Sequence, residues 1–286
     1  MEGASGTLDR PAAHRSDSAD PAETGSSRSR IATYLTQTQV LVSYELFKLR
    51  HDPSELLLRA IQPALWLVVF GEVIAKAAII STGNLTYLQF LAPGILAQSV
   101  MFIAIFYGIA SIRDRELGII YKFLVSPAPR TALVLGKALS ASVRGISQAV
   151  IVYALAIALG IDPSLNPLAI AGVLLVAVLG AMLFSILSMI IASLVKTQER
   201  FLGIGQLITM PLFFASSAIY PIASMPAWLQ PVALANPLTY MVEALRGLMT
   251  TATLSGSALG LDLGVLVGVT AGLLLIESRL YVRMAQ

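Results

Sequence analysis

Six apolar stretches, each roughly long enough to cross a lipid bilayer, dominate this sequence. An α-helix rises about 1.5 Å per residue, so about 20 apolar residues cross the ~30 Å hydrocarbon layer. A water-soluble domain needs a charged surface, but only 12% of the 286 residues are charged and 56% are hydrophobic. The sequence therefore predicts an all-α integral membrane protein with six transmembrane helices. The stretches lie at approximately 55–77, 88–111, 133–160, 167–194, 201–220 and 258–278.

The composition also excludes several kinds of active site. The chain has no cysteine, which rules out a disulfide framework, thiolate metal sites and cysteine nucleophiles. Its two histidines, His14 and His51, lie outside the apolar stretches, so a histidine metal centre or a Ser-His-Asp triad within the membrane is difficult to build. We therefore predict no catalytic residue and no metal ligand.

The N-terminal 51 residues precede the first stretch and differ from it in composition. Residues 1–30 are rich in small and charged residues and predict a disordered cytosolic tail rather than a signal peptide. Residues 31–51 have apolar positions at helical spacing and predict an amphipathic helix in the membrane interface. The alternative is a simple extension of the next helix. Asp52 and Pro53 then form a helix start, opening a six-span domain over 52–286.

The basic residues indicate how the helices are oriented. With the N-terminus inside, fourteen of them lie on the cytosolic side, and only Lys76 and Arg246 lie outside. Cytosolic loops carry an excess of lysine and arginine, so both termini are predicted to be cytosolic. This distribution follows membrane topology, and the net charge of +3 is therefore no sign of nucleic-acid binding. The cytosolic set is Arg10, Arg15, Arg28, Arg30, Lys48, Arg50, Arg113, Arg115, Lys122, Arg130, Lys196, Arg200, Arg279 and Arg283.

The segment between the last two stretches is long and interrupted by prolines. Asn236 and Pro237 form an N-cap and first-turn pair, so a short helix is expected to run through about Leu248. The segment is too apolar for a free loop and too broken to span. We expect a re-entrant helical element over 221–250 that dips into the outer half of the membrane, shielded by protein.

The inner loop over 112–130 carries the densest charge. Arg113, Asp114, Arg115 and Glu116 precede a short apolar run over 119–125. This composition suits a short helix on the cytosolic face that presents its charges to a soluble partner. The alternative is an ordinary solvated loop.

Two motifs in this chain resemble those of ABC type-2 permeases, the membrane subunits of drug, lipid and polysaccharide exporters. The first is Arg-Asp-Arg-Glu-Leu-Gly at 113–118 followed by Phe-Leu-Val-Ser-Pro-Ala-Pro-Arg at 123–130. The second is Asn-Pro-Leu-Thr-Tyr-Met-Val-Glu-Ala-Leu-Arg at 236–246. The resemblance covers about 31–286 and is closest to the daunorubicin-resistance and nodulation-exporter branch. It departs at Ile119 and Ile120, where many relatives have a Thr-Leu pair.

The resemblance implies roles for particular residues. The loop would hold a coupling helix that docks on a nucleotide-binding subunit, and helix 31–51 would be a connecting helix touching the same subunit. The 221–250 element would close the outer exit. The implied coupling residues are Arg113, Asp114, Arg115, Glu116, Gly118, Tyr121 and Leu124. The implied gate residues are Asn236, Pro237, Tyr240, Glu243 and Arg246.

No ATP-binding loop accompanies these motifs. Around Gly136 and Lys137 the first glycine of G-x-x-x-x-G-K-[ST] is replaced by Thr131, and Ala138 follows the lysine. The energy source is therefore expected on another polypeptide: two copies of an ATPase subunit, which would bind ATP and magnesium. This chain is expected to bind no cofactor itself. Six spans make half a pathway, so a homodimer or a pair of related permeases is expected.

Two groups of residues are candidates for the substrate path. Lys137, Ser140, Arg144, Ser147 and Gln148 form a polar stripe on the third span, either a cytosolic vestibule or a cytosolic helix extension with snorkelling bases. In the fifth span, Pro211 is expected to break the helix near Gln206, Phe213 and Phe214, which marks either a substrate-facing helix or a structural kink. The path candidates are Arg144, Gln148, Gln206, Phe213 and Phe214.

The last span has a regular row of glycines at 256, 260, 264, 268 and 272. Small residues on one helix face allow close helix packing, so the row predicts a packing seam rather than a substrate path.

The leading hypothesis is an ATP-driven exporter permease in the cell membrane that moves an amphipathic or lipophilic drug, lipid, glycolipid or glycan out of the cytoplasm. Two other classes remain open. One is a polytopic lipid-modifying enzyme, although the sequence lacks H-E-x-x-H and G-x-S-x-G motifs. The other is an ion-driven secondary transporter, although no internal repeat is apparent.

Overall fold

The structure is a computed structural model that describes residues 60–77, 80, 82–117, 130–195, 197–250 and 256–280. These residues form helices joined by turns, with no strand among them. Several predictions lie outside the described residues: the tail 1–30, the amphipathic helix 31–51, the helix start at Asp52 and Pro53, and the positions Gly118, Tyr121 and Leu124.

The helices are numbered here in chain order. Between Phe214 and Pro237 lie two short elements: a 3-10 turn at Ile222–Ser224 and the six-residue helix Gln230–Ala235. The bounds are α1 Ala60–Ala77, α2 Tyr87–Phe106, α3 Gly108–Glu116, α4 Arg130–Ala158, α5 Pro167–Leu194, α6 Gln198–Phe214, α7 Gln230–Ala235, α8 Pro237–Met249 and α9 Gly256–Leu280.

Five helical segments are long and apolar enough to cross a membrane: α1, the continuous pair α2 and α3, α4, α5 and α9. They correspond to five of the six predicted stretches. The remaining stretch, 201–220, overlaps α6, whose 17 residues extend only about 25 Å. Pro211 does not interrupt this helix, because α6 runs through Pro211 and ends at Phe214, so the predicted break is wrong; a kink at Pro211 stays a prediction. The sixth crossing and the positions of the termini stay predictions.

Helix α5 lies at the centre of the bundle. It begins where the Asn166 side chain accepts a hydrogen bond from the Leu168 amide at 3.0 Å, with Pro167 in the first turn. It packs against α2, α3, α4, α6, α8 and α9, and many of its side chains are buried. A movement of α5 therefore affects most of the bundle.

Helices α1 and α9 lie at the periphery, and most of their residues are exposed. The middle of α1, Leu65–Gly71, is a π-helical turn. On α9 the buried side chains include Asp262 and Glu277, while its glycine row faces outward.

Helix α2 packs closely against the turn that follows α6. A capping box between Thr86 and Gln89 starts α2. A Cβ atom on Gly94 would lie 2.4 Å from the carbonyl oxygen and 2.8 Å from the Cα of Ala218. The backbones therefore approach each other at a distance that only glycine permits.

Candidate functional site

Arg246 on α8 connects three parts of the chain through its guanidinium. It lies 2.8 Å from Glu243 on the same helix, as their spacing of three predicts. It donates to the Ser217 carbonyl at 2.7 Å and to the Phe90 carbonyl at 3.3 Å, and it stacks 3.7 Å from the centre of the Phe90 ring. Phe90, Ser217, Glu243 and Arg246 are called the Arg246 cluster below.

The Arg246 cluster is largely shielded from solvent. The Arg246 side chain is 9% exposed, whereas the Glu243 side chain is 43% exposed. Burial lowers the pKa of the Arg246 guanidinium, and the carboxylate of Glu243 opposes that shift. Arginine stays protonated in proteins, so the cluster holds a fixed positive charge satisfied mainly by backbone carbonyls.

A buried turn after α6 depends on Asn236. Residues 215–219 are buried and not helical, so their carbonyl groups need partners within the protein. The Asn236 Nδ2 group donates to the Leu212 carbonyl at 2.6 Å and to the Ala215 carbonyl at 3.0 Å. Its Oδ1 atom accepts from the Leu238 amide at 3.0 Å. One side chain therefore caps the end of α6 and the start of α8.

Two further side chains of α8 donate hydrogen bonds to carbonyl groups at the end of α7. The Tyr240 hydroxyl donates to the Leu234 carbonyl and the Thr239 hydroxyl donates to the Ala233 carbonyl, both at 2.7 Å. The structure thus brings together all five predicted gate residues, Asn236, Pro237, Tyr240, Glu243 and Arg246, on or beside α8. The predicted helix start at Asn236 and Pro237 is confirmed. The gating role and the depth in the membrane stay predictions.

The four charged residues predicted for coupling lie at the last turn of α3, at the opposite end of the bundle. Lys137 Nζ lies 2.7 Å from Asp114 Oδ2. Arg115 donates to the Val195 carbonyl at 2.6 Å and to the Ala192 carbonyl at 3.4 Å. Glu116 accepts a hydrogen bond from Gln198 at 3.1 Å. Asp114, Arg115 and Glu116 thus contact their own chain; Arg113 and Glu116 are exposed, whereas Asp114 and Arg115 are partly buried.

The sequence reasoning missed a second polar pair beside these contacts. Ser193 on α5 donates to the carboxylate of Glu277 on α9, with distances of 3.1 and 3.3 Å to its two oxygens. Glu277 is 0% exposed. The available signal was an acidic residue inside an apolar span. Placing such a side chain in the membrane costs free energy, so it is usually paired with another polar group. Asp114, Lys137, Ser193 and Glu277 are called the Lys137 cluster below.

The structure does not bring the five predicted path residues together. Arg144 and Gln148 lie on α4, with Arg144 5.1 Å from the centre of the Tyr107 ring and Gln148 buried. On α6, Phe213 is buried against Trp66 of α1, with ring centres 5.5 Å apart. Gln206 and Phe214 are exposed. Helix α4 packs on α2, α5 and α9, whereas α6 packs on α2, α3 and α5.

The predicted packing seam on α9 faces open space among the residues that the structure describes. A Cβ atom placed on any of the five glycines would meet no atom of the described residues within 4 Å. In the part of the chain that the structure describes, no group of three or more His, Cys, Asp or Glu side chains could hold a metal ion.

Comparisons with known proteins give one consistent result. Residues 36–250 match the family described as ABC-2 type transporter. The chain is 32% identical over 217 residues to a putative transport permease, ycf38, of Cyanophora paradoxa, covering 74% of each protein. It is 26% identical over 253 residues to the daunorubicin resistance ABC transporter permease DrrB1 of Streptomyces coeruleorubidus, covering 88% of this chain and 87% of that one. It is also 23% identical over 259 residues to a probable doxorubicin resistance permease, DrrC, of Mycobacterium tuberculosis.

Proposed function

This chain belongs to the ABC-2 type transporter family, and on that premise we propose that it is the membrane-spanning subunit of an ATP-driven exporter. The observation that carries the proposal is the extent of the family match. It runs from residue 36 to 250 and so includes the charged end of α3, the central helix α5 and the whole Arg246 cluster. Two relatives are named as drug-resistance permeases, which favours export of an amphipathic or lipophilic molecule.

A separate nucleotide-binding ATPase subunit supplies the energy in this proposal. Two copies of it bind ATP and magnesium, and this chain binds neither. Arg113 and Glu116 are exposed at the end of α3 and are the described residues best placed to contact it. Gly118, Tyr121 and Leu124 belong to the same loop and continue the proposed contact.

A second copy of the chain completes the pathway in this proposal. Exposed apolar side chains cover parts of α1 and α6, including Leu65 and Val69 on α1 and Leu207 on α6. Gln206 is exposed on α6 among them, and a polar side chain there is better accommodated by a water-filled path or a partner helix than by lipid. We place the substrate path beside Gln206 and Phe214.

The protein is proposed to lie in the cell membrane with both termini in the cytoplasm. In that orientation the Arg246 cluster lies at the outer end of the bundle and the Lys137 cluster at the inner end. Phe90 and Asp114 are 24 positions apart, which corresponds to about 36 Å along α2 and α3, enough to connect the two faces of a bilayer.

Co-purification tests this function. The chain is isolated in mild detergent from its own cells, and bound proteins are identified and assayed for ATP hydrolysis. We expect a bound ATPase, and we expect the double variant Arg113→Ala with Glu116→Ala to lose it. The matched control is Lys76→Ala, which removes a charge at the opposite end of the bundle and should retain the ATPase. A wild-type chain with no bound ATPase would contradict the proposal.

A further inference from the structure

The Lys137 cluster joins helices that lie far apart in the sequence. Lys137 on α4 is paired with Asp114 on α3 at 2.7 Å, and Ser193 on α5 is hydrogen-bonded to Glu277 on α9 at 3.1 Å. The two pairs lie beside one buried apolar cluster: it contains Val134 and Ala138, which flank Lys137 on α4, and Ala192 of α5, and Leu273 of α9 packs against it. The two polar pairs and this cluster therefore bring α3, α4, α5 and α9 together at the same end of the bundle, and the two pairs are treated as one network.

The paired side chains of this network are mostly buried, so pulling the partners apart is energetically unfavourable. The side chains of Lys137 and Asp114 are 15% and 28% exposed, and Glu277 is fully buried. Charges at such positions interact more strongly than in water, and removal of one partner leaves the other uncompensated. Since separation is unfavourable, helices that share the network are expected to move together.

Arg115 also links the same end of α3 to α5, through direct hydrogen bonds. Its guanidinium donates to the carbonyls of Ala192 and Val195, at the C-terminal end of α5. The last carbonyls of a helix have no partner within the helix, and a cation there also interacts favourably with the helix dipole. The end of α3 is thus bound to the central helix directly and through the Lys137 cluster.

We propose that Arg115 and the Lys137 cluster are positioning residues that make the end of α3 and helix α5 one rigid unit, so that a displacement of the inner loop is delivered to the centre of the bundle. This inference rests on the proposed function, because the displacement comes from the ATPase. It assigns Asp114 and Arg115 to transmission within the chain and leaves Arg113 and Glu116 for the partner. Lys137, Ser193 and Glu277 gain a role that the motifs did not indicate.

The first test requires no ATPase. Because the chain lacks cysteine, spin labels can be attached at Leu117→Cys, just after α3, and Leu168→Cys, at the far end of α5; both sites are exposed. In lipid nanodiscs we expect one narrow distance between the labels. Lys137→Met should replace it with a broad distribution, and the charge exchange Asp114→Lys with Lys137→Asp should restore the narrow one. Lys76→Met is the control.

An unchanged narrow distance in Lys137→Met would overturn the assignment of the Lys137 cluster to the rigid unit, because only the direct contact of Arg115 would then hold α3 to α5. Should that variant fail to fold, Glu277→Gln serves the same purpose, because it removes the charge and retains a group that can accept a hydrogen bond from Ser193. An unchanged distance in Glu277→Gln would likewise count against the network, and a broadened one would support it.

The second test measures transmission in the complex with the ATPase bound. Labels at Leu168→Cys and Trp228→Cys, both exposed at the far end of the bundle, report whether ATP with vanadate changes their separation. We expect a shift in the wild-type background and loss of the shift in Lys137→Met, with the ATPase still bound. A shift that persists in Lys137→Met contradicts the role of the Lys137 cluster in transmitting the displacement, and leaves the proposed function standing. No shift in the wild-type background overturns the transmission and the proposed function together.

Discussion

The guanidinium of Arg246 stacks on the Phe90 ring and also donates to the carbonyl of Phe90, a residue 156 positions earlier in the chain. This double contact fixes the start of α2 against α8. The same guanidinium reaches the Ser217 carbonyl in the buried turn after α6. One side chain therefore determines how three segments meet at this end of the bundle.

Arg246→Met is expected to lower the stability of the protein markedly. It leaves the buried Ser217 carbonyl without its donor, at about 1–3 kcal/mol for an unsatisfied group, and removes the second donor and the cation–π contact of Phe90, whose carbonyl keeps its partner within α2. Glu243→Gln should cost less, about 1 kcal/mol or below, because the Glu243 side chain is 43% exposed and Arg246 keeps its carbonyl partners. Thermal unfolding in detergent, followed by tryptophan fluorescence, compares the two variants. Equal losses of stability would show that the ion pair, rather than the carbonyl contacts, holds the cluster.

Asn236→Asp separates the two capping roles of this side chain. Aspartate is as good an N-cap as asparagine, so a residue that only starts α8 would tolerate the change. Asn236 also donates to the carbonyls of Leu212 and Ala215, and a carboxylate cannot. We expect Asn236→Asp to be at least as destabilising as Asn236→Ala in thermal unfolding. A wild-type melting temperature for Asn236→Asp would contradict the double capping.

Much of the fold was predictable from apolar length and helix-start signals. Helix α5 occupies the predicted range, and α8 starts at the predicted Asn236 and Pro237 because capping depends on neighbouring residues. The partners of Arg246 were not predictable, since two of its three acceptors are backbone carbonyls of distant segments. The burial of Phe213 depends on Trp66 of α1, another distant contact. Local patterns contain no information about such contacts.

Gly94→Ala and Gly264→Ala are a matched pair of glycine substitutions. At Gly94 the added methyl group would overlap the backbone of Ala218, and such overpacking costs about 1–3 kcal/mol. At Gly264 the methyl group meets no neighbour within 4 Å, and alanine favours a helix by up to about 1 kcal/mol. Thermal unfolding of the detergent-solubilised chain should show a loss for Gly94→Ala alone. A similar loss for Gly264→Ala would place another helix against the glycine row.

Gln206→Ala and Phe213→Ala should affect different properties of the protein. Phe213 is fully buried against Trp66, so its truncation is expected to cost about 3–5 kcal/mol of stability. Gln206 is exposed, so Gln206→Ala should leave the melting temperature unchanged and alter ATP hydrolysis by the complex in the presence of a lipophilic drug. A Gln206→Ala complex whose drug response equals that of the wild type would remove Gln206 from the substrate path.

The location of the ATPase on this chain tests the central claim most directly. The complex is treated with an amine-reactive cross-linker and analysed by mass spectrometry, which reports which lysines lie near the partner. The account predicts that an ATP-hydrolysing subunit is cross-linked to Lys122, in the 112–130 loop, and not to Lys76 at the end of α1. A partner cross-linked to Lys76 instead, or a complex without an ATP-hydrolysing subunit, would contradict it.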